Sequence, residues 1–122
     1  MNHIRFLYLR DSKNFPIVCV SYLIDRDDGK ATYGISTFNP DDKKVQYERK
    51  FLREVAAGRL ILDRKNVAFP KDANLHTVIA CIVSALSEDN NLPKRTRKAV
   101  VAWLKNDELP RPNAEVSNPT LQ

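Results

Sequence analysis

Glycine is scarce in this chain of 122 residues: there are three, Gly29, Gly34 and Gly58, each in a separate segment. Loops that cradle phosphate need several glycines together so that the backbone can approach the anion, and Walker-type and dinucleotide-binding fingerprints are therefore absent. A nucleotide held by side chains of a sheet face or a subunit interface is not excluded by that. Cysteine and histidine are scarcer still, two of each. His3 and His76 lie far apart, Cys19 and Cys81 belong to no Cys-x-x-Cys pair, and four metal ligands cannot be drawn from neighbouring positions. No metal and no cofactor is expected. Each cysteine sits in an apolar run, so buried reduced thiols are the expectation. A disulfide would require the strand and the helix carrying them to face one another.

Long apolar runs are also missing. None approaches the ~18 residues that span a bilayer, and the start, MNHIRFLYLRDSKNFP, lacks a basic region followed by a continuous apolar stretch and a small-residue cleavage site. We expect a soluble, cytoplasmic protein with no membrane partner. Catalytic signatures are missing too. Ser21, Ser36 and Ser84 lie in no Gly-x-Ser-x-Gly elbow. His76 and Cys81 are separated by about 140° on a helix, so their side chains diverge. The DRDDGK turn is not a calcium loop: counted from Asp25, Gly29 falls at position five and Ser36, not glutamate, at position twelve. Asp25, Asp27, Asp28, Asp41 and Asp42 are accounted for by turn and helix-cap chemistry. Nothing in the sequence asks for an enzyme, and nothing forbids one assembled from dispersed residues.

What is present is a chain with 43% hydrophobic residues, enough for one core, and a formal charge of +5. Three β-like segments come first. His3–Arg10 and Pro16–Ile24 are apolar on nearly both faces, which predicts strands inside a sheet rather than at its edge. Ala31–Phe38 alternates, with Tyr33 and Ile35 on one face and Thr32, Gly34 and Ser36 on the other. Asp28-Gly29 marks a tight hairpin between the second and third, because glycine takes the positive φ such a turn needs. A helix is predicted next. Asn39 would cap it, Pro40 would open it and Gly58 would close it, with Tyr47, Phe51, Leu52, Val55 and Ala56 on the face that covers the sheet. Its outer face would carry Arg49 and Arg53. RLILDRKNVAF either extends that helix or holds a short strand at Asn66–Phe69. A second helix, Leu75–Leu86, is capped by Asn74, and a third starts at Pro93. These elements predict an α+β fold: an antiparallel sheet of three or four strands with about three helices packed on one face. One domain would span residues 1–105, and the proline-rich remainder, 106–122, reads as an extended or disordered tail.

The strongest functional lead is the third helix, NLPKRTRKAVVAWLKND. Lys94, Lys98 and Lys105 fall within about 40° of one another on it, with Arg95 and Arg97 flanking. Thr96, Val100, Trp103 and Leu104 fall on the far side, so Trp103 is expected to anchor the core rather than to stack on bases. The stripe reads either as a solvated face that keeps a basic protein soluble or as a contact for phosphates. Cations at a helix N-terminus oppose the macrodipole, which gives the second reading some weight. If the first and third helices share a side of the sheet, Arg49 and Arg53 would join the patch.

The segment Tyr33–Leu60, YGISTFNPDDKKVQYERKFLREVAAGRL, resembles small phage and prophage accessory proteins of unassigned function. It shares with them a strand ending in Asn39-Pro40-Asp41 and a helix reaching Ala57-Gly58-Arg59-Leu60. The resemblance implies a protein that works by binding, in a host cytoplasm. The function expected is that of a small non-enzymatic binder of nucleic acid or a nucleotide through Lys94, Arg95, Arg97, Lys98, Lys105, Arg49 and Arg53. The alternative is a protein–protein inhibitor or regulator, such as a counter-defence protein whose basic face meets an acidic host protein. A homo-oligomer is compatible with either.

Overall fold

The computed structural model describes residues 3–40 and 48–108. In chain order the elements are β1 (Arg5–Arg10), β2 (Pro16–Asp25), β3 (Lys30–Thr37), α1 (Arg49–Leu62), β4 (Lys65–Ala68), α2 (Leu75–Ser87) and α3 (Lys94–Glu108). The strands form one antiparallel sheet in the order β1-β2-β3-β4. The α+β class, the four-stranded sheet and the three helices agree with the sequence reading. The placement of the helices does not. They are divided between the two faces instead of being gathered on one.

Alternation along the strands makes this division. Val18, Val20 and Tyr22 of β2 and Tyr33 of β3 point to one side, where they join Val78, Ile82, Val83 and Leu86 of α2 and Val100 of α3 in the larger core. Cys19 and Ser21 pair with Ser36 and Gly34 on the other side. There Cys19 packs with Leu52 and Ala56 of α1, flanked by Phe6, Tyr8 and Phe38. The two cysteines accordingly lie on opposite sides of the sheet, and both are free thiols. β1 is an edge strand, not an inner one. Its apolar residues on both faces record cover from a helix layer on each side, which a strand at the edge of a three-layer domain also receives.

α1 sits very close to the sheet. A methyl group added at Gly34 would lie 2.4 Å from the Leu60 backbone nitrogen and 2.7 Å from the Ala56 carbonyl oxygen. No side chain fits in that space, so glycine is what allows the approach. The Ser21 hydroxyl donates to the Ala56 carbonyl at 2.6 Å, and the Ser36 hydroxyl donates to the Leu52 carbonyl at 2.7 Å. Those two carbonyls are four residues apart, one turn of the same helix edge.

The limits of α1 differ from the expectation. It begins at Arg49, after Glu48 in an extended conformation, so Asn39 and Pro40 do not open it. Asp41, Asp42 and Tyr47 lie outside the described residues. Gly58 does not close it either: the helix continues to Leu62 because Leu60 prolongs the inward series Leu52, Ala56, Leu60. Phe51, expected against the sheet, is 57% exposed, and Ile61 and Leu62 are exposed beside it. Both readings of the following stretch hold in part, since the helix is extended and a strand also forms at Lys65–Ala68.

Three local expectations are realised. Gly29 has φ +66° in the β2–β3 turn, the Asn74 side chain accepts the Thr77 amide at 2.8 Å, and Thr96 and Val100 are buried. α3 runs on to Glu108, three residues into the stretch read as tail; residues 109–122 lie outside the described residues.

Candidate anion-binding groove

The turn between β1 and β2 is built around Asp11. Its Oδ1 accepts the backbone amides of Lys13 at 3.0 Å and Phe15 at 2.9 Å, while Asn14 takes φ +66° to complete the reversal. The Arg10 guanidinium donates to the Asn14 carbonyl at 3.0 Å across the same turn. This compact loop stands opposite one flank of α3, and the space between them is a groove of about 1120 Å³. Ala99 and Ala102 line it on the helix side, where their short side chains leave the room.

The charges in this groove are one-sided. Among the described residues Arg10, Lys13, Lys94, Arg95 and Lys98 line it, against the single carboxylate of Asp11, which is engaged in the turn. Trp103, Phe15 and Tyr8 also line it. Trp103 is half-buried, packs against the larger core and lies near the His76 ring, with centroids 5.9 Å apart. It anchors the helix as expected and also lends a surface to the groove, which the sequence reading had assigned elsewhere. The Arg95 guanidinium donates to Asn39 Oδ1 at 3.0 Å, tying α3 to the segment that follows β3.

The residues singled out from the sequence therefore separate into three groups. Lys94, Arg95 and Lys98 are brought together in the groove. Arg97 and Lys105 are exposed on α3 but do not line it. Arg49 and Arg53 belong to α1, on the opposite side of the sheet, and lie over aromatic rings of β1. The Arg49 guanidinium is 4.3 Å from the centroid of Tyr8, and that of Arg53 is 5.9 Å from the centroid of Phe6. Arg10, Lys13 and Phe15 were missed. Their signal was a turn, Asp-Ser-Lys-Asn with a cation on each side of Asp11, but one sequence gives no sign that this turn meets α3.

Among the described residues neither a cysteine nor a histidine lines the groove. Burial pushes the Cys19 thiol up to about 11, against the opposing effects of the Tyr8 hydroxyl, Arg53 and Arg49, so it stays protonated at neutral pH. Among the described residues no three of His, Cys, Asp and Glu are grouped to hold a metal ion. No helix among them is long and apolar enough to cross a membrane. What the arrangement offers is cationic hydrogen-bond donors beside apolar ring surface. Compared with known protein families, curated proteins and solved structures, the chain matches none.

Proposed function

We propose that this chain is a small non-enzymatic binding protein that engages an anionic partner, nucleic acid or a nucleotide, through the groove between α3 and the β1–β2 turn. The observation that carries the reading is the charge imbalance among the described residues: five cations from two separate elements converge on one cleft, where the one described carboxylate, Asp11, is engaged in the turn. Cations gathered at the start of α3 oppose its dipole, and an anion in the groove offsets that cost. Phosphate supplies such an anion, and the rings beside the cations suit a base. An origin among phage accessory proteins belongs to the same proposal, since a binder needs no catalytic apparatus.

The test is a titration of labelled single- and double-stranded DNA at two salt concentrations, with a thermal-shift screen of nucleotides alongside. Affinity should weaken as salt rises, because each neutralised phosphate releases counterions. Lys94→Ala combined with Lys98→Ala should weaken it at least fivefold. Binding insensitive to both salt and the double variant, with no nucleotide raising the melting temperature, overturns the reading.

A second reading rests on a different surface. Phe51, Ile61 and Leu62 leave the outward side of α1 apolar, with Val55 and Gly58 between them. An exposed apolar helix face suits a protein partner, as a regulator or an inhibitor of a host factor would need. Phe51→Ser with Leu62→Ser would abolish such an association and leave DNA binding unchanged.

A further inference from the structure

The two edges of the sheet are finished differently. β1, at one edge, has an exposed arginine at each end, Arg5 and Arg10, and a register irregularity between Leu9 and Arg10. Charges and bulges of that kind deter a further strand from pairing. β4, at the other edge, pairs with β3 in unbroken antiparallel register, from Tyr33 opposite Lys65 to Lys30 opposite Ala68. The Phe69 amide donates to the Gly29 carbonyl at 3.0 Å, which extends the ladder and sets its alternation. Lys65, Val67 and Phe69 turn their backbone groups to β3, and Asn66 and Ala68 turn theirs outward. Both residues are exposed, and among the described residues no hydrogen bond engages those outward groups. The cation of this strand, Lys65, is drawn aside to Asp89 at 2.9 Å. Asn66-Val67-Ala68 carries no charge and no proline. Beside this edge the last turn of α1 leaves Ile61 66% and Leu62 87% exposed. Asp63 and Arg64 precede the strand, Lys71 and Asp72 follow it, and all of them are exposed.

From this we propose that β4 is the seam of a homodimer, in which the edge strands of two copies pair antiparallel and join their four-stranded sheets into one. The edge is its own complement. With Val67 on the two-fold axis, the Asn66 amide of one copy donates to the Ala68 carbonyl of the second, and the Ala68 amide to the Asn66 carbonyl. Antiparallel pairing also sets the start of one strand beside the end of the other. That brings Asp63 and Arg64 of one copy toward Lys71 and Asp72 of the second, acid to base. A standard interface removes about 800 Å² from each partner, more than a strand of four residues supplies. Ile61 and Leu62 beside the seam add the apolar part. The groove lies on the β1 side of the sheet, so this pairing leaves it open and stands whether or not the groove takes an anion.

The experiment is sedimentation equilibrium between micromolar and millimolar concentration, paired with residue-resolved amide exchange at both ends of the series. The mass should move from one chain to two. The amides of Asn66 and Ala68 should exchange at least tenfold more slowly in the concentrated sample, while that of Val67, already bonded to β3, should change little. Ala68→Pro removes an outward donor, a loss that an edge strand tolerates, and should weaken association at least tenfold. Asp63→Lys should weaken it at least threefold, and Lys71→Asp added to that variant should restore it. Phe51→Ser, at the far end of α1, should leave it unchanged, which separates this seam from the outward face of that helix. A chain that remains one copy at millimolar concentration overturns the proposal. So does a dimer that Phe51→Ser dissolves and Ala68→Pro leaves intact. Slow exchange at Asn66 and Ala68 that does not depend on concentration overturns it too, because another segment of the same chain then holds the edge. Should Ala68→Pro fail to fold, the exchange pattern of the wild-type chain decides.

Discussion

On one side of the sheet Val18, Val20, Tyr22 and Tyr33 meet Val78, Ile82, Val83, Leu86 and Val100; on the other Cys19, Ser21, Gly34 and Ser36 meet Leu52, Ala56 and Leu60. The first contact is made of large side chains, each worth roughly 1.5–3 kcal/mol when fully buried. The second has few such side chains. It is made by closeness, with backbone against backbone at Gly34 and two serine hydroxyls on helix carbonyls. A sheet face of small residues can thus fix the position of a helix by close approach, with less apolar area and less tolerance of change. The outward side of α1 carries apolar residues too, with Phe51, Ile61 and Leu62 exposed.

That contrast can be broken from either side. The largest effect should come from Gly34→Val, whose side chain meets helix backbone with no free space. We expect a loss of at least about 4 kcal/mol in denaturant unfolding, accompanied by loss of helical circular dichroism as α1 is displaced. A variant within about 1 kcal/mol of wild type would show that the helix can simply slide. Next, Ile82→Ala should cost about 3 kcal/mol through an aliphatic cavity, with native helicity retained at low denaturant. The smallest effect has the opposite sign. Gly58 lies within α1, and a methyl group there meets nothing within 4 Å. Gly58→Ala should therefore stabilise the protein by about 0.5–1 kcal/mol, seen as a higher unfolding midpoint. The two glycines of one strand–helix pair would then differ in sign, which separates close packing from chain entropy.

Much of the local structure was legible from residue chemistry. The Asp28-Gly29 turn, the Asn74 cap and the inward Thr96 and Val100 each depend on a few neighbouring residues, and each formed as read. The layering was harder to read. Gly34 and Ser36 alternate with Tyr33 and Ile35 in a way that also describes a solvated face, yet both are buried beneath α1. In α1 itself the apolar residues serve two opposite sides, so a single broad stripe was inferred where there are two. The candidate groove was legible by half. Lys94, Arg95 and Lys98 share one helix, and helical spacing places them together. Arg10 and Lys13 come to them from a turn some eighty residues earlier in the chain, and no local rule encodes that meeting.

The seat of α1 also has a consequence in time. β2 has a strand on each side and a helix layer above and below, so the amide hydrogens of Val18–Tyr22 exchange with solvent only when the whole domain opens. The amides of α1 are held over a smaller apolar cluster, and a local lift of that helix should expose them while the rest of the sheet stays closed. Gly34 sets the distance between those two regimes. Hydrogen exchange should therefore separate a slow body from a faster layer, with Arg49 and Arg53 in the faster one.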